Sequence, residues 1–177
     1  MYKLYYSPGA CSLAVHAILY SLEVPFETSR VNINKGENRT PEYLKINPRG
    51  QVPVLIEDGR IIRESAVIAT YLVEKHKSPL LPKDESQKLT AMEWLGFYNS
   101  TMHQAYSGFF LMSKNLQDEK VKEAACTLME KRIHVLWKEI ESNLEQNKYL
   151  CGNIITIAEE KRFTLWQISK KQCSRKK

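Results

Sequence analysis

The first third of the chain alternates between hydrophobic patterns typical of strands and of helices. A short aromatic strand is predicted at residues 2–6, and apolar positions over residues 13–22 recur at helical spacing. The pattern of residues 26–32 indicates a second strand. Because the connections are short, these three elements predict a βαβ unit.

The next elements extend the same domain. The segment Thr40-Pro41-Glu42 is typical of a helix start, and the turn signal Asn47-Pro48-Arg49-Gly50 keeps that helix short. The pair Asp58-Gly59 lies between two apolar runs, which is a strong hairpin signal. The pattern predicts two strands and a further helix, at residues 52–57, 60–63 and 66–75. The order β-α-β-α-β-β-α predicts a small mixed sheet covered by helices.

The rest of the chain is helical in pattern. Residues 77–83 contain two prolines and interrupt the periodicity, as an interdomain linker would. Apolar residues then recur every three or four positions over residues 85–113 and 118–147, which predicts two long helices. We therefore predict an α+β protein of two domains. The first domain covers residues 1–76, a linker covers residues 77–84, and an all-α domain covers residues 85–177.

Composition narrows the class of protein. The chain is 43% hydrophobic and 26% charged, which is ordinary for a soluble globular protein. Its 4 cysteines lie far apart, with no C-x-x-C motif and no histidine at zinc spacing, so we expect no metal and a reduced, cytoplasmic setting. No apolar stretch is long enough to cross a membrane, and the N-terminus lacks the order of a secretory signal. A membrane partner is not expected.

The formal charge of +6 is a local property. Lysine and arginine balance aspartate and glutamate over residues 1–159, so the whole excess lies in residues 160–177. Aromatic and basic residues do not interleave there, as they do on many nucleic-acid surfaces. A nucleic-acid partner is therefore not expected.

Cys11 is the first candidate for chemistry. It follows the Pro8-Gly9 turn and lies at or just before the predicted helix, where unpaired backbone N–H groups and the helix dipole favour an anion. A thiol in such a position is expected to have a lowered pKa, and the thiolate is its reactive form. From the residues alone, a small buried hydrophobic role is an equal alternative.

Four motifs in this order resemble bacterial glutathione S-transferases of the beta class. They are Tyr-Tyr-Ser-Pro-Gly-Ala-Cys-Ser at 5–12, Asn-Pro-Arg-Gly-Gln-Val-Pro-Val-Leu at 47–55, Arg-Glu-Ser-x-x-Ile at 63–68 and Trp-Leu-x-Phe-x-x-Ser-x-x-His at 94–103. The resemblance extends from residue 1 to about Ala158. It implies a thioredoxin-like domain followed by an all-helical domain, glutathione as co-substrate, and a homodimer.

The resemblance implies catalytic roles for Cys11 and His103, which would stabilise the glutathione sulfur as an anion. Tyr6 and Ser12 lie close enough in sequence to take the part of Cys11, since many enzymes of this family use a tyrosine or serine. The reaction implied is conjugation of glutathione to an apolar electrophile. Thiol-disulfide exchange through Cys11 is a second reaction of the same site.

The resemblance also implies a set of glutathione-binding residues. In the family a proline like Pro53 follows a cis peptide bond, so the Val52 backbone could pair with the cysteinyl part of glutathione. Glu64 could hold the glutamyl ammonium, while Ser65, a natural helix N-cap, lies where exposed N–H groups bind the glutamyl carboxylate. Lys35 is implied to bind the glycyl carboxylate. Ser100 is implied to contact glutathione across the dimer interface.

Other parts of the pattern are less complete. Gly96 stands where related sequences can carry an asparagine, so one polar contact is expected to be missing. The electrophile is expected to lie among aromatic and apolar side chains of the second domain, namely Tyr106, Phe109, Phe110 and Met112. Three alternatives stay open: a non-catalytic binding protein of the same fold, an inactive truncated remnant, and a glutaredoxin-like reductase, although Ala14 replaces the resolving cysteine of that last class.

The resemblance ends abruptly after residue 159. Thr156 and Glu159 form a Thr-x-x-Glu capping box, but three consecutive charges follow at Glu160-Lys161-Arg162. Burying one of them unpaired would cost several kcal/mol. We therefore expect residues from about 160 onward to leave the helical bundle, and a frameshift or early stop is our hypothesis for this tail. The helical domain would then be incomplete.

Overall fold

The structure is a computed structural model that describes residues 1–160 and 162. Its four strands are β1 (Tyr2–Tyr6), β2 (Phe26–Arg30), β3 (Val54–Glu57) and β4 (Arg60–Arg63). They form one sheet in the order β2-β1-β3-β4. β1 pairs parallel with β2 and antiparallel with β3, and β3 pairs antiparallel with β4. The sheet is therefore mixed, as the sequence pattern predicted.

The helices follow the predicted order along the chain. They are α1 (Ser12–Ser21), α2 (Pro41–Ile46), α3 (Ser65–Lys75), α4 (Glu85–Gly96), α5 (His103–Asn115) and α6 (Glu119–Gln146). Local caps explain several starts. Thr40 Oγ1 accepts the Tyr43 N–H, and Asp84 and Asp118 cap α4 and α6 in the same way. The predicted fold class, a thioredoxin-like domain followed by a helical domain, is confirmed.

The long helix predicted over residues 85–113 is not continuous. A π-helical segment, Phe97–Met102, separates α4 from α5, and within it the Ser100 hydroxyl donates to the Gly96 carbonyl oxygen at 2.8 Å. An apolar stripe is compatible with either kind of turn, so periodicity alone predicted one helix. Wide turns of this kind often occur at functional sites.

The two cores share a short segment near the end of the described chain. In the first domain, α1 and α3 pack on the sheet around Leu4, Ile18 and Leu72, and Ile157 joins that same cluster. The next residue, Ala158, belongs instead to the core of the helical domain. Residues 157 and 158 therefore connect the two cores.

Helices α3 and α4 lie side by side and antiparallel. The Lys88 ammonium pairs with Glu74 at 2.9 Å near one end, and the Thr70 hydroxyl lies 3.8 Å from the Met92 sulfur in the middle. This antiparallel arrangement places the π-helical segment Phe97–Met102 near the N-terminus of α3. The backbone around residues 76–84 connects the two helices, and the domain boundaries stay predictions.

The capping box at residue 156 is only half formed among the described residues. Thr156 Oγ1 accepts the Ala158 N–H at 3.3 Å. The Glu159 carboxylate instead accepts the Leu150 N–H at 2.7 Å and the Arg162 Nε–H at 2.8 Å. The expectation that the chain leaves the bundle concerns a tail that, except for Glu160 and Arg162, lies outside the described residues.

Candidate active site

Cys11 occupies the N-cap position of α1, where the turn of residues 7–10 delivers it. The Ala10 N–H donates to the Ser7 carbonyl oxygen at 3.1 Å, and Gly9 supports the turn with a φ of 72°. The half-buried Cys11 Sγ lies 3.1 Å from the Val52 carbonyl oxygen and donates to it. This bond belongs to the protonated thiol, so forming the thiolate releases the Val52 carbonyl.

Ser12 and Tyr6 are held differently from Cys11. The Ser12 hydroxyl accepts the Ser7 N–H and donates to the Ser7 carbonyl oxygen, both at 3.1 Å, and the residue is 1% exposed. Its hydroxyl therefore serves the turn. The Tyr6 ring packs against His16 with centroids 5.3 Å apart. Of the three sulfur-stabilising candidates, Cys11 is the one whose side chain bonds to Val52 among the described residues.

The Val52-Pro53 peptide bond is cis, as the resemblance implied. The preceding carbonyl, of Gln51, accepts hydrogen bonds from the Tyr43 hydroxyl and from Asn47 Nδ2, each at 2.8 Å. Because the Gln51 carbonyl and the Val52 N–H belong to one planar peptide group, these two bonds also orient the Val52 N–H. Outside the regular helices and strands, no residue in the described part of the chain accepts a hydrogen bond from the Val52 N–H.

Tyr43 is suited to this holding role. Burial, with smaller contributions from Tyr5 and Cys11, raises the pKa of the Tyr43 phenol to about 12. The phenol therefore stays protonated and keeps donating throughout the physiological pH range. Asn47 is also buried. Both residues precede the loop of Val52, and their sequence pattern indicates only a short helix and a turn.

The Glu64-Ser65 pair begins α3 under backbone strain. Glu64 has a φ of 68°, which non-glycine residues rarely adopt, and it occupies the N-cap position. Its exposed carboxylate pairs with the Arg49 guanidinium. Ser65 was predicted as the N-cap, and that prediction is wrong: it is the first helical residue, and its hydroxyl donates to Asn99 Oδ1 at 3.2 Å.

The remaining predicted residues lie on two other elements. Lys35 is exposed at the end of the short 3₁₀ turn Ile33–Lys35, whose backbone is fixed by Asn32. His103 is half-buried at the start of α5, one turn after Asn99, and Ser100 is exposed beside them. The roles of these residues stay predictions.

The contacts bring most of the candidate residues to one end of the sheet. Val54 lies opposite Arg63 in the β3–β4 ladder, so Val52 and Ser65 are each two residues beyond that pair. Cys11 reaches Val52, and Asn99 reaches Ser65 from the second domain.

Tyr106, in contrast, does not line a cleft. It is 1% exposed, lies in the helical core, and its hydroxyl accepts the Trp137 Nε1–H at 2.8 Å. Phe109 and Phe110 also pack against that core while staying partly exposed. The apolar stripe of α5 is therefore largely bundle packing at this position. The described residues contain no helix long and apolar enough to span a bilayer, and no group of His, Cys, Asp and Glu suited to a metal.

Comparison with known proteins supports this assignment of the fold. The family model described as glutathione S-transferase, N-terminal domain, matches residues 1–74. The glutathione S-transferase GstA of Escherichia coli O157:H7 is 29% identical over 167 residues, which cover 92% of this chain and 80% of that protein.

Two solved structures extend the similarity over both domains. A glutathione transferase from Methylococcus capsulatus str. Bath superimposes with a TM-score of 0.79 at 30% identity, covering 96% of this chain and 83% of that one. A glutathione transferase homologue from Sulfitobacter, solved with bound glutathione, gives a TM-score of 0.87 at 25% identity, with coverage of 96% and 83%. On these grounds the chain belongs to the glutathione S-transferase family.

Proposed function

We propose that this protein is a beta-class glutathione transferase that conjugates glutathione to apolar electrophiles. The observation that carries the proposal is the contact of Cys11 Sγ with the Val52 carbonyl oxygen, beside a cis Val52-Pro53 bond. A thiol at a helix N-terminus lies there against the Val52 backbone, whose N–H has no acceptor among the described residues. A small peptide with its own thiol fits this combination, because it can pair with backbone and present sulfur at the same point.

Glutathione binds in this proposal as an added strand. Its cysteinyl backbone pairs with the N–H and carbonyl of Val52, and the Cys11 thiol gives up the carbonyl in exchange. The glutamyl carboxylate lies at the start of α3, where the Ser65 hydroxyl and the backbone N–H groups of the first turn are donors. Glu64 faces the glutamyl ammonium, and Lys35 the glycyl carboxylate.

The chemical step is attack by the glutathione thiolate. The glutathione S–H loses its proton to solvent, and the sulfur lone pair forms a C–S bond with the electrophilic carbon. The electron pair of the broken bond departs with the leaving group or, in an addition, moves onto the electrophile and is protonated. Cys11 and His103 donate hydrogen bonds that stabilise the sulfur anion before attack.

Thiol-disulfide exchange is a second candidate for the same site. It is favoured by a half-buried Cys11 that forms no disulfide among the described residues. The Cys11 thiolate attacks one sulfur of oxidised glutathione, the disulfide breaks, and a glutathione thiolate leaves. The products are a Cys11–glutathione mixed disulfide and one reduced glutathione. Ala14 offers no second thiol to resolve it, so another glutathione must do so.

Three measurements test these assignments. The protein should be retained on immobilised glutathione and should conjugate 1-chloro-2,4-dinitrobenzene, a small aromatic electrophile. Oxidised glutathione should add one glutathione mass to the native protein. Cys11→Ser should abolish this addition, whereas the control Cys126→Ser, on α6, should not. Labelling of the Cys11→Ser variant would contradict the role of Cys11, and retention without turnover would favour a non-catalytic binding protein.

We also propose a cytoplasmic homodimer that buries the outer face of α3 and α4. Val67 and Leu89 lie on these helices with 54% and 70% of their surface exposed, so a second copy packed there would remove apolar surface from water. Light scattering should give twice the chain mass, and Leu89→Lys should shift it toward monomer. Leu128→Lys, at a similarly exposed position on α6, should leave the mass unchanged. A wild-type monomer would contradict this part of the proposal.

A further inference from the structure

Asn99 connects the second domain to the start of α3. Its Oδ1 accepts the hydrogen bond of the Ser65 hydroxyl at 3.2 Å, and Ser65 itself is buried. Asn99 lies inside the π-helical segment Phe97–Met102. Position 96, where related sequences can carry an asparagine, is glycine here. The asparagine of this chain therefore lies three positions later, at Asn99, and its side chain contacts Ser65 of the same chain.

This contact conflicts with the binding of a carboxylate. A serine hydroxyl has a single proton to donate, and an ionised carboxylate only accepts. In the arrangement observed, that proton is directed at Asn99 Oδ1. A carboxylate at the first turn of α3 therefore gains the Ser65 hydroxyl only if Asn99 stops accepting from it.

An amide resolves this conflict, because it carries an acceptor and a donor on the same carbon. We propose that Asn99 is a positioning residue for the glutamyl carboxylate, an inference that rests on the proposed glutathione site. When the carboxylate binds, the Asn99 side chain turns over and Nδ2 donates to Ser65 Oγ. The Ser65 proton then points at the carboxylate, so the second domain contributes to affinity without touching the ligand.

Aspartate at this position would remove both properties. It is close to isosteric with asparagine, but its ionised carboxylate cannot donate, so it keeps the Ser65 proton and adds a negative charge near the incoming carboxylate. We expect Asn99→Asp to weaken glutathione binding about tenfold or more by titration calorimetry. Gln104→Glu makes the same charge change at an exposed position of α5 and should stay within about twofold.

A second ligand separates this role from a general structural one. The tripeptide 4-aminobutyryl-cysteinylglycine lacks only the glutamyl α-carboxylate. Asn99→Asp should bind this analogue as well as the wild type does, because the group that Asn99 positions is gone. A variant that is merely less well folded would lose affinity for both ligands by the same factor.

The outcomes distinguish this inference from the function on which it depends. If the wild type binds glutathione and Asn99→Asp binds it equally well, or if both ligands suffer alike, the inference is wrong and the transferase proposal stands. A wild type that does not bind glutathione overturns both. Should Asn99→Asp fail to fold by circular dichroism, Asn99→Ala replaces it. Its loss of glutathione affinity, about threefold, should then disappear in a Ser65→Ala background, and persistence of the loss there would overturn the inference.

Discussion

Gly50 shows how one residue holds the candidate site in shape. Its φ is 63°, and a Cβ placed there would lie 2.7 Å from the Asn38 carbonyl oxygen, with the Arg39 side chain nearly as close. The Asn38 amide in turn donates to the Gly50 carbonyl at 2.8 Å. The loop that leads to Val52 therefore closes on itself only when this residue has no side chain.

Gly50→Ala should consequently destabilise the protein by about 1–3 kcal/mol and weaken glutathione binding. Urea unfolding and calorimetry measure the two effects. Gly59→Ala is a matched control, because Gly59 has a φ of 85° but nothing within 4 Å of its added Cβ. It should carry the conformational cost of the positive φ, near 1 kcal/mol, with no loss of binding. Equal effects of the two variants on binding would argue against a role for the Gly50 loop.

His103 should matter for turnover more than for folding. It is half-buried at the start of α5, so His103→Ala should lower kcat roughly tenfold or more with little change in melting temperature. The exposed His134 on α6 provides the control, and His134→Ala should change neither quantity. Full activity of the His103 variant would remove this residue from the site.

The residues of the candidate site differ in how readily they can be predicted from the sequence. Cys11 and the start of α3 follow from local motifs, the latter to within one residue, and the cis Val52-Pro53 bond was implied by the family resemblance. Tyr43 and Asn47 act on the Gln51 carbonyl through a turn whose shape no pattern of polarity encodes. Asn99 meets Ser65 only through the packing of two domains, 34 positions apart in the chain.

At the scale of elements, a charged cluster connects the end of β3 to the end of α3. The Glu57 carboxylate is almost fully buried and pairs with the Lys75 ammonium and the Tyr71 hydroxyl. Burial opposes ionisation of Glu57, but the hydrogen bonds from Lys75, Tyr71 and Tyr2 prevail and lower its pKa to about 2. This cluster lies at the opposite end of the sheet from Cys11.

The lowered pKa of Glu57 makes stability depend on pH. The ionised carboxylate stabilises the fold fully above the unfolded pKa of 4.5, and this contribution is lost as the pH falls toward about 2. Glu57→Gln should cost about 1–2 kcal/mol at pH 7, and its deficit should shrink below about pH 4 in urea unfolding. Asp58→Asn, which breaks an exposed pair with the N-terminus, should cost less than about 0.5 kcal/mol. A deficit of Glu57→Gln that is independent of pH would contradict this account.

Elements were predicted well where one face had to be apolar. The strands and helices of the first domain match the pattern to within about two residues, because most of them bury one side against the sheet or the core. The break between α4 and α5 was missed. A π-helical turn shifts the stripe by a single residue, and Phe97, Tyr98 and Met102 can pack in either register.

For the molecule as a whole, Ile157 is the test of how strongly the two domains depend on one another. Its side chain is 0% exposed within the core of the first domain, and its N–H donates to the Leu80 carbonyl oxygen at 2.9 Å. Ile157→Ala should destabilise the protein by about 2–4 kcal/mol and should lower hydrogen-exchange protection in β1 and β3 as well as in α6. Ile155→Ala, at 48% exposure, should have little effect. Lost protection confined to α6 would show that the domains unfold separately.

The same side chain sets an order of events during synthesis. A ribosome makes the thioredoxin-like part first, and domains made early commonly fold while the rest is still being translated. Here the sheet and its helices emerge with a vacancy in their core that residue 157 fills only after α6 has been made. Until then the nascent chain contains Cys11 and the loop of Val52, but the core of its first domain is incomplete. A stop codon upstream of this position would release a chain with the same defect, even though every residue of the candidate site had already been translated.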